Sequence, residues 1–135
     1  MKYLFFLLWF CTVFFFSCND GLPDAEEADG EIEIFPDYKE VAIPCNIAPL
    51  NFKLKEPCEA IALFSGEGLQ IRVDSDNGSF QIPEKKWRRL LDASAGGNLT
   101  VGIYICKDDG WFRYPPFSIR VVKDEIDPYL VYRRI

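Results

Sequence analysis

The segment Asn98–Lys107 alternates more cleanly than any other in the chain. Leu99, Val101, Ile103 and Ile105 fall on one side, and Thr100, Gly102, Tyr104 and Cys106 on the other. Successive side chains of a β-strand point to opposite faces, so a period of two marks a strand buried on one face only. Such a strand needs sheet neighbours, and the chain supplies them. Residues 50–55 alternate apolar and polar, 58–64 are small and aliphatic, and Leu69, Ile71 and Val73 alternate with Gln70 and Arg72. Residues 79–82, 111–114 and 117–122 read as further strands. Turn signals stand between them: Glu56-Pro57, Ser65-Gly66-Glu67-Gly68, Asp76-Asn77-Gly78-Ser79 and Asp108-Asp109-Gly110. Asn77-Gly78 is the strongest hairpin signal, because Asn-Gly accepts the positive φ of a type I′ turn.

One helix interrupts this pattern. Pro83 suits a first helical turn, and Trp87, Leu90 and Leu91 share one face over 83–93, ended by Gly96-Gly97. Lys85, Lys86, Arg88 and Arg89 take the other face, which reads as solvated. About seven short strands with turns between them predict an all-β fold. The expected form is a small antiparallel immunoglobulin-like β-sandwich with one short crossover helix.

The two ends follow different rules. Met1-Lys2-Tyr3 is basic, 4–16 is apolar, and Ser17-Cys18 follows. This is the layout of an export signal, and its apolar run is shorter than the ~20 residues of a membrane-spanning helix. A Cys directly after Ser17 resembles a bacterial lipoprotein cleavage site. The expected domains are therefore 1–17 as lipoprotein signal peptide, 18–40 as acidic flexible tether, 41–126 as β-sandwich and 127–135 as an extended C-terminal segment. Removal of 1–17 leaves 118 residues, enough for one domain. Residues 18–48 carry nine acidic side chains against one basic, Lys39, whereas 49–135 carry twelve against thirteen. The acidity thus belongs to the N-terminal stretch, expected to be mobile and to hold the body off a membrane. Within it Glu31-Ile32-Glu33-Ile34-Phe35 reads as either an edge strand or tether. Pro44 and Pro49 exclude a central strand over 41–50. The final residues, 127–135, remain apolar and aromatic, as if leading to a further domain or docking on a partner.

Several chemistries are excluded. The chain has no histidine, which removes Ser-His-Asp and Cys-His nucleophile pairs and His-bearing zinc sites. A near-neutral body gives no basis for nucleic-acid binding. Cys45, Cys58 and Cys106 remain once Cys11 leaves with the signal and Cys18 takes lipid. They are odd in number, without CxxC spacing, and are expected to be free.

A family resemblance enters on Tyr38 and on Val41-Ala42-Ile43-Pro44-Cys45-Asn46-Ile47-Ala48-Pro49-Leu50-Asn51-Phe52. It continues on Ile82-Pro83, Trp87-Arg88-Arg89-Leu90-Leu91 and Gly96-Gly97-Asn98-Leu99-Thr100-Val101. Trp111, Tyr114, Pro115 and Ile126-Asp127-Pro128-Tyr129-Leu130-Val131-Tyr132-Arg133-Arg134-Ile135 complete it. In order and spacing these resemble the opening of Bacteroidetes envelope lipoproteins described as TolB-like or PD40 β-propeller proteins. The resemblance covers roughly 36–135. It implies an N-terminal accessory domain, while the propeller's own activity does not carry over. Cys45 stands where that family more often has Pro.

The remaining candidates are weighed against plainer roles. Asp108-Asp109, Asp124-Glu125 and Asp74/Asp76 are carboxylate pairs, but most sit in turn sequences where Asp is favoured. Asp74-Ser75-Asp76-Asn77-Gly78 lacks the distal Glu of a calcium loop. Trp111, Phe112, Tyr114 and Phe117 flank Pro115-Pro116, and serve as core, as a docking surface or as a sugar platform. The reading is a non-catalytic envelope protein, exported and held to the membrane by lipid on Cys18, at the outer membrane's periplasmic or surface face. It needs no cofactor, metal or nucleic acid. Candidate interaction residues are Trp111, Phe112, Tyr114, Phe117, Tyr129 and Tyr132, and the partner is a protein or downstream domain. The alternative is a glycan-binding module using exposed aromatics.

Overall fold

A computed structural model describes residues 21–129 and 133. Among these the elements run β1 (Glu26–Glu27), β2 (Ile34–Phe35), β3 (Ala42–Pro44), β4 (Phe52–Leu54), β5 (Ala60–Gly66), β6 (Leu69–Ser75) and β7 (Ser79–Phe80). Helix α1 (Glu84–Ser94) follows, then β8 (Asn98–Lys107), β9 (Gly110–Arg113) and β10 (Phe117–Val122). The chain is mostly strand, in two open sheets with one helix, as the alternation predicts.

β8 organises the larger sheet. Along one edge it pairs antiparallel with β5, which pairs in turn with β6. Its other edge is shared: its C-terminal half pairs with β9 and its N-terminal half with β10. Beyond these lie β1, parallel to β9, and β3, parallel to β10. The smaller sheet is β2-β4-β7, all antiparallel. The two parallel pairings lie outside the purely antiparallel expectation. They arise because segments distant in sequence add to the sheet, and no local pattern encodes such an addition.

The core lies between the sheets and α1. Trp87, Leu90 and Leu91 are fully buried, as the helical spacing predicts. The Trp87 ring meets Phe64 edge-on at 6.0 Å, and Phe52 packs against Phe80 at 4.9 Å. The indole Nε1 donates to the Ile47 carbonyl at 3.1 Å, satisfying its one polar atom. Pro83 stands one position earlier than expected, as N-cap with extended ψ and no side-chain cap. Its carbonyl accepts the first helical bond, from Trp87 N. Gly66 faces this core. A Cβ there would lie 2.4 Å from Ser94 Oγ and 2.7 Å from Leu99 Cδ2, so the close approach of α1 to β5 requires glycine.

The turns correct one expectation. Asn77-Gly78 closes no hairpin of adjacent strands: β7 pairs with β4, not β6. Only Gly78 has positive φ there. The Asn77 Oδ1 accepts from Ser79 N and Ser75 Oγ, so the side chain makes the turn and a type I′ backbone is not needed. Two residues of positive φ instead occur at Asp108-Asp109, between the paired Lys107 and Gly110, and at Glu67-Gly68, between Gly66 and Leu69.

The stretch expected to be a flexible acidic tether is folded over its described part. Ile32 and Ile34 are buried in the core. Their acidic neighbours face out and pair, Glu31 with Lys39 and Glu33 with Lys55. Of the two readings of Glu31-Ile32-Glu33-Ile34-Phe35, the edge strand holds: β2 pairs with β4 at the edge of the small sheet. Further upstream the Gly21 carbonyl accepts from Arg72 Nη1 at 2.8 Å on β6, while Glu26 stands opposite Phe112 on β9. Glu26 lies on β1, four strand spacings from β6, about 19 Å. Residues 21–26 span at most about 18 Å, and the Arg72 side chain makes up the difference. They therefore cross the outer face of the large sheet nearly extended. Leu22, Pro23 and Ala25 are half-buried on the way, and Ile61, which points to that face, is only 3% exposed.

Candidate functional site

The return strand after β8 carries the feature that shapes the surface. Arg113 lies opposite Tyr104, and Phe117 opposite Val101. Three steps on β8 thus face four on the return, so one extra residue bulges out at Tyr114-Pro115-Pro116. The prolines lack the N–H a ladder needs, which places the break where sequence shows it. Tyr114 keeps one bond, from its N to the Ile103 carbonyl at 3.1 Å. The bulge also reverses facing. Arg113 is on the outer face with Tyr104, whereas Phe117 is inward with Val101.

The aromatic set therefore does not form one surface. Trp111 stands opposite Cys106 on the outer face of β9, half-buried in a depression shared with Asp24, Ala25 and Lys107. Phe112 points to the other face, opposite Ile105. Phe117 is 7% exposed and belongs to the core, the plain reading of that residue. Tyr114 packs partly on the core and partly lines the outer surface. Tyr129 is 82% exposed. Cys18 and Tyr132 lie outside the described residues.

What the fold does bring together is a groove on the outer face of β5 and β8. Its floor is Leu63, Gly102 and the paired Ser65 and Thr100. Tyr104, Tyr114 and the two prolines wall one side, and Glu27 and Ala28 from the β1 crossing close it. The space measures about 520 Å³, and a second depression of about 510 Å³ continues from Ser65 and Thr100 toward Gln70 and Asn98. The Arg113 Nη2 donates to Glu27 Oε1 at 2.6 Å. Hydrogen bonding to Glu27 and to Tyr104 raises the Arg113 pKa further above its ordinary value. The groove's two charges thus neutralise one another. Gly102, Tyr104, Leu63, Arg113 and Glu27 were not among the sequence candidates. The signal was present in one place, a glycine in the middle of the most regular strand.

The exit of the domain is also fixed. Asn46 Nδ2 donates to the Ile126 carbonyl and Asn46 Oδ1 accepts from Ile126 N, each at 2.9 Å. The Cys45 thiol donates to the Lys123 carbonyl at 3.4 Å. This holds 123–126 against the body and delivers Ile126, 50% exposed, and Tyr129 to the surface.

Cys45, Cys58 and Cys106 are free and half-buried. Burial pushes the Cys58 thiol up, helped by the nearby charge of Glu56 and by Cys106. Glu33 is lowered and Lys55 raised by their mutual hydrogen bond on the open surface. Among the described residues no group of three His, Cys, Asp or Glu side chains is placed to hold a metal ion. Asp108 and Asp109 form the turn between β8 and β9, and Asp74 pairs with Arg72.

Compared with family models, curated proteins and solved structures, the chain matches none. Nothing in these comparisons identifies it as part of a TolB-like or PD40 protein.

Proposed function

We propose that this chain is a non-catalytic, lipid-anchored envelope protein whose β-sandwich is an accessory interaction domain, of the kind that precedes the propeller in TolB-like lipoproteins. The observation that carries this reading is the pinned exit segment. Asn46 grips the backbone of Ile126 from both sides, so the segment is held in one course although its apolar side chains remain uncovered. Ordering backbone costs free energy, and a held segment that displays Ile126 and leads to the exposed Tyr129 has the form of a contact waiting for its other half. The basic start, apolar run and Ser17-Cys18 sequence support export and lipidation.

Two measurements test the reading. Intact mass of the protein extracted from membranes is expected to show a chain beginning at Cys18 with added acyl mass; a chain without acyl mass overturns the anchor. A photo-crosslinking residue at Tyr129 is expected to capture an envelope protein in cells, and Asn46→Ala is expected to reduce that adduct severalfold. Equal capture from Tyr129 and from an exposed control position such as Lys85 overturns the docking role.

A further inference from the structure

We infer that the outer-face groove over Gly102 binds a neutral, extended oligosaccharide. The inference stands apart from the proposed anchor and exit contact, which involve other residues.

Gly102 lies inside β8, which is paired on both edges. Glycine weakens a strand interior, and there it often marks a place where something approaches the backbone closely. At Gly66 that something is α1. At Gly102 nothing among the described residues fills the role: a Cβ would meet Tyr104 Cε2 at 4.0 Å, an ordinary contact. The fold does not require glycine here, yet its absence of side chain keeps the groove floor open beside a tyrosine ring.

The lining selects the occupant. The floor's backbone donors and acceptors are consumed in the β5–β8 ladder, so an added peptide strand finds no free edge to pair with. Recognition must come from side chains. Ser65, Thr100, Gln70 and Tyr104 offer hydroxyl and amide groups, and the Gln70 amide already donates to Ser65 Oγ at 3.3 Å. Arg113 and Glu27 are spent on each other, so among the described residues the groove's lining holds no free cation for an anionic ligand. Tyrosine rings and prolines offer flat apolar walls. Hydroxyls beside flat apolar surface match a sugar ring, with its C–H faces and equatorial hydroxyls. From Tyr104 to Thr100 the face runs about 13 Å at the rise of a β-strand, longer than one sugar ring, and the adjoining depression extends it.

Affinity electrophoresis of the folded protein through gels containing xylan, mixed-linkage β-glucan, mannan, soluble starch or polygalacturonate tests this. Retardation by at least one neutral polysaccharide is expected. Gly102→Val should keep or raise the melting temperature, since valine favours strands and its Cβ has room, while weakening that retardation at least tenfold. Tyr104→Ala should weaken it similarly, and Trp111→Ala should leave it unchanged. Retardation by none of the gels overturns the inference, as does retardation by polygalacturonate alone. A stable Gly102→Val protein that binds as well as the parent overturns it too.

Discussion

Two glycines on neighbouring strands divide the large sheet into two kinds of surface. Gly66 on β5 faces inward, and a Cβ would strike Ser94 and Leu99 at distances no packed core accepts. Gly102 on β8 faces outward with space above it. The inner face is a solved packing problem in which every position is dictated by a neighbour. The outer face is ordered by the same ladder but filled only in part, by the crossing of 21–26. One backbone thus carries a surface whose sequence is set by stability and another whose sequence stability leaves free.

The inner face should respond most strongly to substitution. Trp87→Ala removes the fully buried indole and the partner of Phe64; the expected loss is about 3–5 kcal/mol in urea unfolding. Gly66→Ala overpacks the α1–β5 contact and should cost about 1–3 kcal/mol, whereas Gly102→Ala should be neutral or slightly stabilising. Equal effects at the two glycines would erase the distinction between the faces. Asn46→Ala should cost about 0.5–1.5 kcal/mol by analogy with other intramolecular hydrogen bonds. It should also accelerate amide exchange at Ile126 while leaving β8 protected. Smaller still is the pH effect of Cys58. The folded state holds this thiol's proton more tightly than the unfolded chain does. Stability from this group is therefore intact below the ordinary thiol range, about 8.5, and falls as pH rises through it. Cys58→Ala should flatten the alkaline limb of the stability curve, and an unchanged limb would place the titration elsewhere.

Much of the inner face was legible in the sequence. The alternation of Leu99, Val101, Ile103 and Ile105, and the spacing of Trp87, Leu90 and Leu91, state which side chains turn inward. What was not legible depends on partners far along the chain. β7 follows an Asn-Gly signal but joins β4, because Phe52 and Phe80 meet across the small sheet. Phe117 looks like a neighbour of Tyr114 in sequence, and one bulged residue sends it to the core. The alternation of Glu31-Ile32-Glu33-Ile34 allowed an edge strand, but so short a run could not name β4 as the partner that decides it. The candidate groove was hidden for a related reason. Its residues come from β1, β5, β8, β9 and the bulge, and only Gly102 stood out on its own strand.

The crossing segment bears on how far this protein could reach. On the proposed reading the acyl chains sit on Cys18, and Gly21 is already fastened to Arg72. Three residue steps span about 10 Å at full stretch. That is a mooring line rather than a mast. The face of the domain around Arg72 would ride within about 10 Å of the lipid headgroups, close enough for the body to turn with its anchor.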